Sequence, residues 1–202
     1  MSENERITAK QVKELRDKTG AGMMDCKSAL EDAAGATEKA VLLLKGKGLA
    51  SVKQRSERTA EQGVIESYIH IGRQIGALVE LNCETDFVAR NEEFLELAHM
   101  VALQIAACNP RYLDRDSVPE GVIESEKEKY RALCVAGGKP EKVHGRIIED
   151  MLEKYYQEVC LLEQPFIKDP SQSVGGLLAE TSARVGEKLA IRRLSRFQVG
   201  EE

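Results

Sequence analysis

The sequence predicts an α+β fold: an N-terminal module of three short helices, followed by a small antiparallel sheet packed by helices. Three observations carry this. Glycines separate three helical segments near the N-terminus. The apolar period switches from helical to two between Ile65 and Cys83. Helical stripes return from Asn91, before a strand-like run at Lys188–Val199.

The first helix opens at Thr8, with Gln11 placed to complete a capping box and Ile7 to staple onto Val12. It runs to about Lys18 and breaks at Gly20-Ala21-Gly22. A second helix spans about Met23–Ala33, with Met24, Ala29, Leu30 and Ala33 as its apolar positions. Of Met23 and Met24, one is expected buried and one at least partly exposed. Thr37 caps a third helix through Leu44, closed by Gly46 and Gly48. Leu49–Gln62 is charged and poor in large apolar residues, and reads as a helical or irregular linker. A boundary there divides the chain into residues 1–56 and 57–202.

In the second part, Ile65, Ile69 and Ile71 fall on one face of a strand, with Glu66, Tyr68 and His70 on the other. Gly72-Arg73-Gln74 turns the chain. Ile75, Ala77, Val79, Leu81 and Cys83 then alternate with Gly76, Leu78, Glu80, Asn82 and Glu84, giving a half-buried hairpin. Asn91 caps a helix striped by Phe94, Leu97, Ala98, Val101 and Ile105, which stops before Pro110. Further helices are expected over about Pro119–Val135, after Pro140, and from about Ser173.

With 202 residues, 42% hydrophobic, 31% charged and only 4% aromatic, the chain is an ordinary globular protein with an aliphatic core. A net charge of -5 argues against bulk nucleic-acid binding. Lys45–Arg58 is a local exception, with five basic residues and one acidic. It reads as a solvated linker, with an RNA-binding module as the rival. The polar segment Met1–Glu5 is unlike a signal peptide, and no apolar run approaches a membrane span. Cys26, Cys83, Cys108, Cys134 and Cys160 are odd in number and widely spaced, which suits reduced thiols in the cytoplasm.

Chemistry-bearing patterns are few. There is no Gly-rich phosphate loop ending in Lys-Ser/Thr and no His pair at metal spacing, so neither a cofactor nor a metal is expected. His70, His99 and His144 read as surface or interface residues. Cys83 beside Glu84 and Asp86 is the nearest approach to a nucleophile, but carboxylates raise a thiol pKa, the wrong direction for activation. The stretch Glu84-Thr85-Asp86-Phe87-Val88 sets an aromatic next to an acid where strand passes to helix. Residue chemistry leaves two readings open: Phe87 tucked into the core, or a working edge on a loop.

Three segments bear on that choice: Leu15–Leu30 (LRDKTGAGMMDCKSAL), Glu80–Asn91 (ELNCETDFVARN) and Glu163–Pro170 (EQPFIKDP). In them the chain resembles the bacterial-type elongation factor Ts family over essentially its whole length. The resemblance implies a guanine-nucleotide exchange factor that binds elongation factor Tu with GDP and promotes GDP release, without covalent catalysis. It implies a ubiquitin-associated-like N-terminal module, docking through Arg16, Gly22, Met23, Met24 and Asp25. Thr85, Asp86, Phe87 and Val88 take the role of dislodging Mg2+ from the GTPase. Tyr68, His70 and Gly72 resemble a further contact region. Longer family members carry two core subdomains in tandem, whereas only one copy is visible here. A homodimer forming a two-plus-two complex is therefore expected, with no nucleic acid or membrane as partner.

Overall fold

The structure, a computed structural model, describes residues 7–201, without the side chains of Leu49, Ser51 and Lys53. The segment Met1–Glu5 and the Lys53 side chain of the basic stretch lie outside the described residues. Along these residues the chain forms α1 (Ala9–Thr19), α2 (Met23–Asp32), α3 (Thr37–Arg55), β1 (Gln62–Ile69), β2 (Ile75–Cys83), α4 (Asp86–Ala89), α5 (Glu92–Cys108), α6 (Glu120–Ala136), α7 (Glu141–Val159), β3 (Pro165–Phe166), β4 (Asp169–Ser173), α8 (Val174–Val185) and β5 (Ala190–Gln198). The α+β class is as expected. Two compact units are present. The first gathers the chain up to Gly63 with Asn82–Phe94 and Leu178–Ala190; the second gathers Val64–Leu81, Leu95–Leu177 and the chain from Ile191.

In the first unit, the α1 capping box forms as expected. Thr8 Oγ1 accepts the Gln11 N–H at 3.3 Å, and Gln11 Oε1 accepts the Thr8 N–H at 2.8 Å. Gly20 ends α1 at φ 66°, and a side chain there would also meet Arg184 Cδ at 2.9 Å, so two constraints require glycine. Leu15, Cys26, Ala29, Leu30 and Ala40 are fully buried where the three helices meet, and Ile7 packs on that cluster.

Two expectations about this unit need correction. Helix α3 does not close at Gly46 and Gly48 but runs on to Arg55. Gly48 is there for closeness, not for a turn: a Cβ would sit 3.2 Å from the Ala183 Cβ. Neither Met23 nor Met24 is buried, at 44% and 74% exposure. The core stripe of α2 is Cys26, Ala29 and Leu30 with Ala33 just beyond; Met24, two residues before Cys26, points to the opposite side of the helix.

In the second unit, β2 is the central strand of a sheet ordered β1-β2-β5. The Val199 N–H reaches Gln74 O near the start of β2, while Arg193 pairs with Glu80 further along, so β5 runs antiparallel to β2. Ala77, Val79 and Leu81 are buried as the alternation requires, and so is Cys83, the last residue of the strand, which belongs to the first unit. The face of β1 is the reverse of what its isoleucines suggest. Ile65, Ile69 and Ile71 are exposed, whereas Glu66 and Tyr68 are half-buried. The reason is α5: His99 lies against Glu66 and Tyr68, leaving the isoleucines on the uncovered side. Of the α5 stripe, Leu97, Ala98, Val101 and Ile105 are fully buried in this unit, and Phe94 is fully buried in the first.

The hairpin β3–β4 was not legible in the sequence. Fully buried Gln104 of α5 holds it, accepting the Ile167 N–H at 2.9 Å and donating to Pro165 O at 3.2 Å and Gln164 Oε1 at 3.1 Å. This explains the Gln164-Pro165-Phe166 pattern as scaffold, with Gln164 and Phe166 buried. Arg115 bridges Glu153 and Glu163 and stacks on Tyr156, tying α7 to the turn that follows it.

Candidate functional site

Strand β2 ends at buried Cys83, whose thiol donates to Thr85 O at 3.1 Å. Thr85 is extended, at φ -126° and ψ 155°, as a helix cap requires. Its Oγ1 accepts the Val88 N–H at 3.3 Å, closing the four-residue helix α4. On this turn Val88 faces inward at 6% exposure, and Phe87 faces outward at 81%. Of the two readings open in the sequence, core packing falls to Val88 and not to Phe87.

Asp86 pairs with Arg90 at 3.0 Å, and both side chains are largely exposed. Such a pair contributes at most about 1 kcal/mol, so an approaching partner can break it at little cost. With Phe87 and Asn91, these residues line a shallow concavity. Asn91 Oδ1 accepts the Glu93 N–H at 2.8 Å and starts α5, as its position suggested.

A remote carboxylate, which leaves no local signal in the sequence, holds the start of the turn. Glu187 Oε2 accepts the N–H groups of Glu84 and Thr85, each at 3.0 Å, and Oε1 accepts the Thr85 hydroxyl at 2.6 Å. In return, Glu84 Oε1 accepts the Lys188 N–H at 2.6 Å. The Glu84 carboxyl is held below the usual carboxylate range, chiefly by that backbone N–H and then by Arg58. The Cys83 thiol is pushed up to about 11, first by burial, then by Glu187, and more weakly by Asp86 and Glu84. The direction matches the sequence argument against an activated thiol, although the main cause is burial.

In the same unit, Arg16, Gly22, Met23, Met24 and Asp25 are all exposed at the end of α1 and the start of α2. Gly22 is the N-cap residue of α2 and Asp25 lies in its first turn. Two adjacent exposed methionines form an adaptable apolar surface.

The second unit carries another group. Tyr68 OH shares a hydrogen bond of 3.1 Å with His70 Nδ1, and the Tyr68 ring stands edge-on to His99 at 6.0 Å. His99 Nδ1 donates to Glu66 Oε1 at 3.4 Å. Tyr68 and His70 thus form one patch with Glu66 and His99. His99 was missed as a member because it comes from α5, and its helical spacing carries no trace of β1. Gly72 turns the hairpin at φ 95°, a conformation that favours glycine.

Among the described residues, no cluster of three or more His, Cys, Asp or Glu side chains could hold a metal ion, and no helix is long and apolar enough to cross a membrane.

A sequence profile of the family described as Elongation factor TS matches residues 49–201. The chain is 53% identical to the Elongation factor Ts of Thermodesulfovibrio yellowstonii, over 96% of this chain and 97% of that protein. It is 54% identical to that of Carboxydothermus hydrogenoformans, over 96% and 90%. For Caldanaerobacter subterraneus subsp. tengcongensis, identity is 53% over 96% and 98%.

Proposed function

This chain belongs to the elongation factor Ts family of translation factors, and on that premise we propose that it is a guanine-nucleotide exchange factor. It binds elongation factor Tu carrying GDP, disturbs the Mg2+ and phosphate site, and lets GDP leave so that GTP rebinds. The single observation that carries this reading is the exposed Phe87 on a pinned turn. A large aromatic is held away from its own core by Val88 below and Glu187 alongside.

The physics is that of a wedge. Burying an exposed Phe side chain in a partner yields about 1.5–3 kcal/mol. That free energy is available to displace the elements presenting Mg2+ ligands in the GTPase. Asp86, freed from Arg90, would perturb charges near the same site. Mg2+ bridges phosphate oxygens and GTPase ligands, so its loss weakens the hold on GDP. Exchange factor and nucleotide then weaken each other reciprocally. No bond is made or broken, and the chain needs no catalytic group, cofactor or metal of its own.

In this proposal, residues 1–56 act as the docking module through Arg16, Gly22, Met23, Met24 and Asp25. Residues 57–202 form the core that carries Thr85–Val88 and the further contacts Tyr68, His70 and Gly72. The protein acts in the cytoplasm, with elongation factor Tu as partner and no nucleic acid or membrane. The test is stopped-flow release of a fluorescent GDP from elongation factor Tu. Accelerated release that excess Mg2+ opposes supports the reading; unchanged release overturns it.

We propose as well that two chains pair into a homodimer. Ile65, Ile69, Leu78 and Phe197 on the strands, with Ile71 and Val199 just beyond them, are exposed, and Ile69, Leu78, Phe197 and Val199 line one open concavity, apolar surface of a kind that soluble monomers rarely leave open. An isologous contact would cover it in both copies and give a two-plus-two complex with elongation factor Tu. Light scattering at micromolar concentration should give a dimer, reduced to monomer by Phe197→Asp. A monomeric wild type overturns the pairing.

A further inference from the structure

Glu187 lies 102 residues after Thr85 in the chain, yet its carboxylate is spent on the turn that presents Phe87. Helix α8 ends at Val185, and Gly186 reverses the chain at φ 79°. The Gly186 N–H reaches Ser182 O at 3.0 Å, and the Ser182 hydroxyl donates to Glu187 O at 2.5 Å. The backbone of Glu187 is therefore fixed before its side chain is used. Oε2 takes two successive backbone N–H groups, of Glu84 and Thr85, and Oε1 takes the Thr85 hydroxyl. Bonds to an ionised acceptor are roughly twice as strong as neutral ones. The pairing is crossed, since Glu84 accepts the Lys188 N–H and the Lys188 ammonium donates to Ser56 O and Arg58 O at 2.6 and 2.7 Å.

A helical turn of four residues does not hold itself. Nucleating a helix is unfavourable, and isolated helices are marginal even at several times this length. Within α4, the Thr85 cap and the inward Val88 supply local restraint. The start of the turn, at Glu84 and Thr85, depends on residue 187. Loss of that support would let Phe87 sample many orientations, and ordering it at each encounter would weaken its action on a partner.

Resting on the exchange reading above, we infer that Glu187 is a positioning residue of the exchange loop. Both of its oxygens are engaged within its own chain. It acts on exchange by fixing the conformation that projects Phe87.

The experiment compares wild type, Glu187→Gln, Phe87→Ala and the double variant, each as the full chain. Release of fluorescent GDP from elongation factor Tu and backbone amide exchange are measured for each. The carboxamide sets an N–H donor or a weaker neutral acceptor against the same N–H groups. Expected for Glu187→Gln is roughly tenfold slower stimulated release, with faster amide exchange at Thr85 and Val88 and an unchanged far-ultraviolet spectrum. In the Phe87→Ala background the same change should add less than about twofold, because its effect passes through Phe87. If Glu187→Gln does not fold, Glu187→Asp replaces it: the charge is kept but withdrawn by one methylene, and release should slow in a folded chain. Slow release in Phe87→Ala with wild-type release in the Glu187 variant overturns the positioning role alone. So does a full additional loss in the double variant, which would mean that Glu187 acts other than through Phe87. Wild-type release in Phe87→Ala overturns the exchange reading, and the positioning role with it.

Discussion

Replacing Thr85 by valine separates the shape of the Thr85–Val88 turn from its hydrogen bonds. Valine keeps the β-branched outline and suits the extended backbone at φ -126°. What disappears is one hydroxyl, which accepts the Val88 N–H at 3.3 Å and donates to Glu187 Oε1 at 2.6 Å. Loss of a helix cap is worth about 1 kcal/mol. A hydrogen bond to a charged group is worth about 1.5–3 kcal/mol when dry, but Thr85 is exposed, so water recovers much of it. The sum for the turn is about 1–2 kcal/mol, or a 5- to 30-fold shift in local opening. The two backbone bonds from Glu84 and Thr85 to Glu187 survive, so the global fold should not move. Amide exchange by NMR should show the Val88 N–H exchanging about 5- to 30-fold faster, and stimulated GDP release should slow by no more than that factor. An unchanged Val88 amide would refute the cap. Slower release with an unchanged Val88 amide would refute the link between loop order and exchange.

Three further outcomes follow from the same structure. Gly145, inside α7, has open space around a would-be Cβ, so Gly145→Ala should stabilise by about 0.5–1 kcal/mol, while Gly186→Ala, at φ 79° and equally open, should destabilise by about 1 kcal/mol; urea midpoints moving the same way would contradict this. At pH 8, with its thiol near 11, Cys83 should be thiolate in about one molecule in a thousand and label far more slowly than exposed Cys108; equal labelling rates would contradict its burial. The folded pKa of Glu84 is depressed from its ordinary 4.5, so its stabilisation is complete above that value and is lost as pH falls through the folded value; the stability gap between wild type and Glu84→Gln should shrink below about pH 4.5, and a constant gap would contradict the sign.

The helices were legible because their signals are local. The Thr8–Gln11 box, the Gly20 stop, the Asn91 cap and the α5 stripe all act within a few residues. The alternation of β2 was equally local. What failed depended on distant neighbours. Ile65, Ile69 and Ile71 looked like a core face because apolar residues usually are; that α5 covers the opposite face is fixed by the fold. Gly48 looked like a helix stop because its actual constraint, Ala183, is remote in sequence. In the candidate site, Thr85–Val88 stood out by residue type, but Phe87 could have pointed either way. Its orientation rests on Val88 packing and on Glu187, and pairing across 102 residues leaves no periodicity to detect. Glu66 and His99 escaped for the same reason: a strand and a helix meet there without a shared spacing.

The central claim, that Phe87 is the wedge by which this chain opens the nucleotide site of elongation factor Tu, is tested most directly by Phe87→Ala. Phe87 is 81% exposed, so removing its ring leaves no cavity and should leave the thermal midpoint within a degree or two. Stopped-flow release of fluorescent GDP from elongation factor Tu should slow by about tenfold or more, as expected when about 1.5–3 kcal/mol of burial is lost on docking. Release at the wild-type rate, from a Phe87→Ala chain that folds and binds, would contradict the claim.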